Sequence, residues 1–377
     1  MRRLRRLTVA GLRRHAAART FEPPRALADA IHALGFVQID PLRAPARAQD
    51  LILRQRVPGY REGDLDRAYA SLGLTEDFVH VHGVLPAGLR RLLHPRATQR
   101  TWHVERERPQ LADAILDFIA RHGPTHPRDL HKAFGRDPIV NAWGGQSAAT
   151  TRMLEVLHYR GRLHVVRREG SIKVYGLAPP FGGVLPSRTR ATRALMLLVR
   201  LYAPLHVSTL RQLALMASDV DVSTDERERI VTRLIESAAV RSGELDGVRY
   251  VWPADDTRAA AEPEERVRLL APFDPFVWDR RRFAQLNGWE YRFEAYTPAA
   301  KRRYGYYALP LAWRERVIGW ANIARRGVKL DVATGFVAAP PRGRPFARAL
   351  DEELARLEAF MTRSDAAPSE RPRKADR

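Results

Sequence analysis

Hydrophobic positions along the chain switch from helical spacing to alternation, and they do so twice in the same order. Residues 110–121 (QLADAILDFIAR) place Leu111, Ile115, Phe118 and Ile119 on one helical face. After a break at Gly123-Pro124, THPRDLHKAFG reads as a short second helix. SAATTRMLEVLHYRGRL (147–163) reads as a third, ending near Gly161. LHVVRREGSIKVYGL is then two β-rich runs joined by a polar turn containing Gly170. Downstream, 190–202 is again a helix. HVSTLRQLALMA (206–217) follows the break at Pro204, with Ser208 as its N-cap, and a third helix carries Ile230, Leu234 and Ala238. A hairpin with Asp246-Gly247 at its tip closes the unit. Helix, helix, helix, hairpin is the order of a winged helix-turn-helix. The pattern therefore predicts two such units, over 105–182 and 183–254.

Residues 1–104 read as a third, less regular copy. LTVAGLRRHAAAR is one helix and PPRALADAIHALG a second, with Gly35 after its end; PLRAPARAQDLILRQR offers a third, and FVHVHGVLP alternates like a strand. An acidic linker lies around 254–265. Beyond it RVRLLAPFDPFVWDRRR, YRFEAYTP, YGYYALPLAW, RVIGWANIA and VKLDVATGF are short strand-like runs, and a helix over 343–360 closes an α/β domain spanning 265–362. The tail 363–377 has the composition of a disordered segment. The expected class is α+β: three tandem winged units followed by a C-terminal α/β domain. The length, 377 residues, fits this at about 150 residues a domain.

Charge adds a partner to this picture. The chain holds 64 Lys and Arg against 43 Asp and Glu, a net +21, and only five of the cations are Lys. Such an excess favours a polyanion, and nucleic acid leads. The first acid is Glu22, so the N-terminal helix is itself basic; it reads as lying on DNA, or as resembling a transit peptide. With no Cys there are no disulfides, Cys-ligated zinc, iron–sulfur cluster or thiol nucleophile. No run approaches the roughly 18 apolar residues of a membrane helix. Arg160, Arg162, Arg167, Arg168 and Lys173 cluster around the first predicted wing, where they suit phosphate contacts on double-stranded DNA.

The segment GFVQIDPL (35–42) admits two readings. If it is extended, Val37 and Ile39 face one side, while Gln38 and Asp40 point together to the other. Asp40-Pro41 is equally a helix start, with Asp as N-cap and Pro in the first turn.

Those residues belong to a wider likeness. The chain resembles the AlkZ/YcaQ family of winged-helix DNA glycosylases, which remove alkylated purines and unhook interstrand crosslinks. The likeness rests on Gln38-Ile39-Asp40-Pro41 after Gly35-Phe36, on His80 and Leu85-Pro86, and on two long blocks. These are LAPFDPFVWDR (Leu270 to Arg280) and YTPAAKRRYGYYALP (Tyr296 to Pro310). The family's catalytic motif is Gln-apolar-Gln in one branch and Gln-apolar-Asp in the other. The second, YcaQ-like form is present here, so the resemblance implies Gln38 and Asp40 as the catalytic pair. Phe78 stands where the family usually has Trp, Val81 and His82 replace small residues, and Gly319-Trp320-Ala321-Asn322 replaces Gly-Arg-apolar-Asp.

The implied chemistry suits the residues. An N7-alkylated guanine is already cationic and leaves readily. The enzyme must stabilise an oxocarbenium-like sugar and deliver water. A carboxylate does both, and an amide two residues away orients the water. Asp40 is then base and electrostatic stabiliser, and Gln38 positions the nucleophile. None of the five Lys lies near the motif, so a monofunctional glycosylase leaving an abasic site is expected, with no metal or cofactor. His80 matches a family position and is a candidate DNA or active-site contact. His80 with His82 can also be read as metal ligands or as satisfied histidines, and His122, His126 and His131 are spaced too loosely for a site. Tyr304, Tyr306 and Tyr307 suit stacking on bases, or core packing; Asp274 and Asp279 read as structural. A monomer acting in the cytoplasm, at the nucleoid, is expected. A winged-helix regulator without chemistry is the alternative, and a nuclease is disfavoured because no carboxylate cluster suits two metals.

Overall fold

The computed structural model describes residues 5–21, 26–96, 101–140, 144–217, 222–256, 263–326 and 329–362; the tail expected to be disordered lies outside them. Helices and several small sheets share the described chain, an α+β fold. Helices Leu111–His122, Pro127–Phe134 and Ala149–Tyr159 precede the hairpin Leu163–Glu169/Ile172–Leu177. Helices Ser187–Tyr202, Val207–Met216 and Thr224–Glu236 precede the hairpin Val240–Leu245/Val248–Pro253. In each set the residues before the second helix pair with the hairpin's second strand: Thr125 with Tyr175, and Leu205–His206 with Val251 and Tyr250. The second hairpin turns through Asp246 and Gly247, both at positive φ, as a tight two-residue connection requires.

The N-terminal segment is built differently. Helix Leu27–Leu34 ends at Gly35, which takes the left-handed φ of 69° and donates its N–H to Ile31 O. The chain then enters a three-stranded antiparallel sheet in the order Val37–Gln38, His82–Pro86, Leu74–Phe78. Residues 78–86, which alternate like one strand, are broken by a turn at 79–81. The buried pairing of Asp77 with His94 and Arg96 anchors the strand end just before it.

The C-terminal segment holds a four-stranded antiparallel meander: Val267–Leu269, Leu309–Trp313, Arg316–Arg326 and Lys329–Phe336. Helix Arg344–Met361 packs on it through Phe346, Ala349, Leu357, Phe360 and Met361, a helical stripe. The run RVRLLAPFDPFVWDRRR is strand only over Val267–Leu269. Its remainder forms helices Pro275–Trp278 and Arg280–Asn287, because Asp274 and Asp279 each cap a helix, accepting from Phe276 N and from Arg281 N and Arg282 N. YRFEAYTP is irregular rather than strand. The helix at 207 is capped by the His206 side chain, which accepts from Ser208 N, and not by Ser208 itself.

One hydrophobic core joins the N- and C-terminal segments. It contains Ile31, Val37, Leu51, Ile52 and Val84 together with Val267, Leu269, Tyr307, Leu309 and Phe360. Buried polar ties cross the same boundary. Glu353 Oε1 accepts from Arg54 at 2.6 Å, Gln55 at 2.8 Å and Leu269 N at 2.9 Å, and Asp274 holds Arg56 at 2.8 and 3.0 Å.

Candidate active site

Gln38 lies opposite Gly83 in the three-stranded sheet, with Val37 opposite Val84. Glycine is needed at 83: a Cβ there would sit 2.3 Å from the Phe36 ring and 2.4 Å from Val37 O. The close approach seats the short strand. Ile39 N continues the pairing to His82 O at 3.1 Å. Val37 is then fully buried, while Gln38 and Asp40 are only partly covered. Asp40 starts no helix. The next one, Ala48–Leu53, has Arg47 at its N-cap position, and Asp40 instead closes a local turn by accepting from Leu42 N at 2.9 Å. That bond is the only one its carboxylate takes from protein among the described residues. Burial raises the Asp40 pKa above the ordinary aspartate value, and the Leu42 amide offsets part of this. The Gln38 Oε1 atom is buried and has no protein partner among the described residues.

The C-terminal segment supplies the facing wall. Tyr307 is buried in the shared core, and its pKa is raised by burial and then by the charge of Asp40. Tyr296 is 79% exposed and is likewise raised, by what covers it and then by Asp40. The two tyrosines are linked through Phe293, whose ring centroid lies 5.1 Å from that of Tyr307 and 6.1 Å from that of Tyr296. Tyr306 stands half exposed with the Arg302 guanidinium 5.1 Å from its ring centre. This loop is held by Glu294, which accepts from Arg303 N, Tyr304 N and Gly305 N. Asn322 also holds it, donating to Tyr304 O at 2.7 Å. The Asp40 carboxylate thus lies within electrostatic reach of two tyrosines from a segment more than 250 residues further along the chain.

A family model described as DNA glycosylase AlkZ-like matches residues 31–360, which includes both halves of this site. The chain belongs to the AlkZ-like DNA glycosylase family. It is an enzyme, a DNA glycosylase that hydrolyses N-glycosyl bonds. No solved structure matches the chain.

Within this AlkZ-like glycosylase the remaining candidates fall in distinct places. His80 sits in the 79–81 turn and is 8% exposed. It is boxed by Phe36, Tyr202 and Trp278, with Nε2 2.8 Å from Tyr202 Oη, and burial pushes its pKa down to about 3. It is a neutral ring inside the protein rather than a side chain on an outer face. Tyr304 is also interior, donating to Glu290 O and packing on Trp289 and Trp320. Most of the wing cations are engaged within the protein. Arg168 grips Glu76 at 2.6 and 2.7 Å, Arg160 pairs with Glu105, and Lys173 faces His82 at 3.0 Å. Arg167 pairs with Glu169 at the surface. Arg162 is exposed and has no side-chain partner among the described residues.

Asp274 and Asp279 bind helix ends and buried partners, Arg56 for the first and Thr209 for the second, a structural role. No group of three or more His, Asp or Glu among the described residues is placed to hold a metal ion. No described helix is long and apolar enough to cross a membrane. Sequence reasoning did not single out Glu294 or Gly83. It named Tyr307 with Tyr304 and Tyr306 for stacking or core packing, and Tyr296 only as the start of the block Tyr296 to Pro310 that carries the family likeness.

Proposed function

We propose that this glycosylase is monofunctional. It hydrolyses the N-glycosidic bond of N7-alkylguanine-type or interstrand-crosslinked purines in double-stranded DNA and leaves an abasic site. The observation that carries this reading is Asp40, half covered and nearly free of protein donors, two residues after Gln38, whose buried side-chain oxygen has no protein partner among the described residues. Asp40 ionised opposes the positive charge that develops on the sugar as the bond to the base breaks. It also accepts a proton from the water that attacks the sugar carbon, and Gln38 orients that water. The bonding electrons leave with the base, which needs no protonation when it is already a cation. No lysine lies beside the motif in sequence to form a Schiff base, in keeping with a single activity.

The repeated order of three helices and a hairpin supports tandem winged helices over 105–182 and 183–254. They follow a catalytic unit over 1–104 and precede an α/β unit over 265–362, and together they lie along duplex DNA as a monomer at the nucleoid. Tyr296, exposed and within reach of the Asp40 charge, and the exposed Tyr306 suit contact with a base. Arg162 is the wing cation best placed for a phosphate. The test is excision of N7-methylguanine from a labelled duplex, resolved after mild alkali, with Asp40→Asn alongside. Alkali-dependent breaks that vanish in the variant are expected. Excision that survives undiminished in Asp40→Asn overturns the assignment of the base.

A further inference from the structure

Asp40 follows the short strand Val37–Gln38, whose pairing ends where Ile39 N donates to His82 O at 3.1 Å. Successive backbone N–H groups of an extended chain point to opposite edges, so the Asp40 N–H points away from the neighbouring strand. Val37–Gln38 is an edge strand of its sheet, and no further strand lies on that side to receive this donor. The Gln49 side chain receives it instead: its Oε1 accepts from Asp40 N at 3.5 Å, a long hydrogen bond. The contact lies at the edge of the sheet and belongs to neither of its faces.

Gln49 is 1% exposed, and its side chain makes no other hydrogen bond among the described residues. Burying an amide costs free energy that an apolar side chain of the same length would not, so the amide needs a reason. The helix that carries it, Ala48–Leu53, is firmly seated. Leu51, Ile52 and Leu53 belong to the core that holds Val37, and Asp50 accepts from Tyr60 Oη at 2.7 Å and from Gly63 N at 3.0 Å. An acceptor on a fixed helix thus meets the backbone donor of residue 40, while the Asp40 carboxylate accepts from Leu42 N at 2.9 Å.

We propose that Gln49 is a positioning residue of the glycosylase reaction, tethering the Asp40 backbone at the open sheet edge and so fixing the direction of its carboxylate. The inference rests on the reading of Asp40 as the base. Gln49 takes no proton and touches no reacting atom in this role. Without its acceptor the Asp40 N–H turns to water, and the carboxylate is aimed by the Leu42 bond alone. A misdirected base costs rate rather than binding.

The test is Gln49→Met in the full chain, an apolar side chain of similar length, beside Gln49→Glu, which keeps an acceptor at the same reach. Wild type and Asp40→Asn are assayed on the same N7-methylguanine duplex. Gln49→Met should lower kcat about tenfold to a hundredfold with KM unchanged and the thermal midpoint within about 3 °C. Gln49→Glu should keep kcat within about threefold of wild type. Amide exchange read by mass spectrometry should quicken in Gln49→Met over the peptide containing Asp40 and stay unchanged over Leu51–Leu53. Unchanged kcat in Gln49→Met overturns the proposal, and so does a Gln49→Glu as slow as Gln49→Met. Faster exchange across the whole helix with a lower midpoint also overturns it, since that is the pattern of a structural side chain. If Asp40→Asn itself excises normally, the underlying reading has failed; if exchange at Asp40 quickens while kcat holds, this inference alone has.

Discussion

Asp40 is a residue whose placement favours chemistry over stability. Its pKa is raised on folding, so the fold favours the protonated acid. A raised acid contributes stability that is present below its unfolded pKa and lost as pH rises through its folded pKa. At neutral pH the ionised form is thus a small burden on the fold, while catalysis needs it. Asp40→Asn should abolish excision yet raise the thermal midpoint by about 1–2 °C at pH 7, with DNA affinity kept or strengthened. A variant that is both inactive and less stable in thermal melts would point to a structural carboxylate. Wild-type activity should fall on acidification at a pH above that of an ordinary aspartate. Tyr296 tests the wall: its exposed ring suits a cationic base by face contact. Tyr296→Ala should raise KM for N7-methylguanine about three- to tenfold with little change in kcat, whereas Tyr296→Phe should keep it. Steady-state excision kinetics on the three proteins decide this.

The hairpin Leu163–Glu169/Ile172–Leu177 shows how an element can be basic in sequence and largely spent inside the fold. Arg168 reaches Glu76 bidentately, with side-chain exposures of 10% and 1%, and Lys173 lies within 4.0 Å of the same carboxylate. These contacts clamp the hairpin onto the strand Leu74–Phe78, next to the strand that carries Gly83 opposite Gln38. Removing one partner strands a buried charge. Arg168→Ala should cost about 3–5 kcal/mol in denaturant unfolding. Arg162→Ala should leave stability within about 0.5 kcal/mol but lower the slope of log affinity against log salt by about one. Equal effects of the two substitutions on both measurements would show that the hairpin's cations are not divided between fold and DNA in this way.

At the scale of the whole molecule, the first and last segments are one body. Their common core and the Glu353 cluster mean that a fragment ending near residue 254 loses the C-terminal members of the core that holds Val37, Tyr307 among them, and the buried partner of Arg54 and Gln55. Such a fragment should show neither a cooperative melt nor excision. Burial alone would raise the Glu353 pKa; Arg54, the Leu269 amide and Gln55 overcome it and hold the acid ionised. Acid stability is likewise a property of the assembly. Burial pushes His80 down to about 3 and His158 to about 4. A depressed group contributes stability that is present above its unfolded pKa, about 6.5 for His, and lost as pH falls through the folded value. The thermal midpoint should therefore drop by on the order of 10 °C between pH 7 and pH 4. His158→Gln should flatten part of that drop in pH-dependent melts.

Periodicity alone determined much of the architecture here. The repeated helices and hairpins obey short-range rules of spacing, capping and turn chemistry, as at Gly35 and Asp246-Gly247. The +21 charge pointed to nucleic acid, and the family likeness rested on blocks of consecutive residues. Local reasoning failed at Leu270 to Arg280, because apolar runs buried on every side look the same in a helix and a strand until Asp274 and Asp279 are seen to cap. It also left the Asp40-Pro41 alternatives open, since Asp-Pro is compatible with both a cap and an extended turn. Only the tertiary structure decided that Asp40 caps nothing and that Gly83 admits its strand. The same long-range packing brings Tyr296 and Tyr307 to the carboxylate, turns His80 inward, and commits Arg168 to Glu76. A residue's partner across more than 200 positions is set by how whole segments share a core, and no spacing along the chain encodes it.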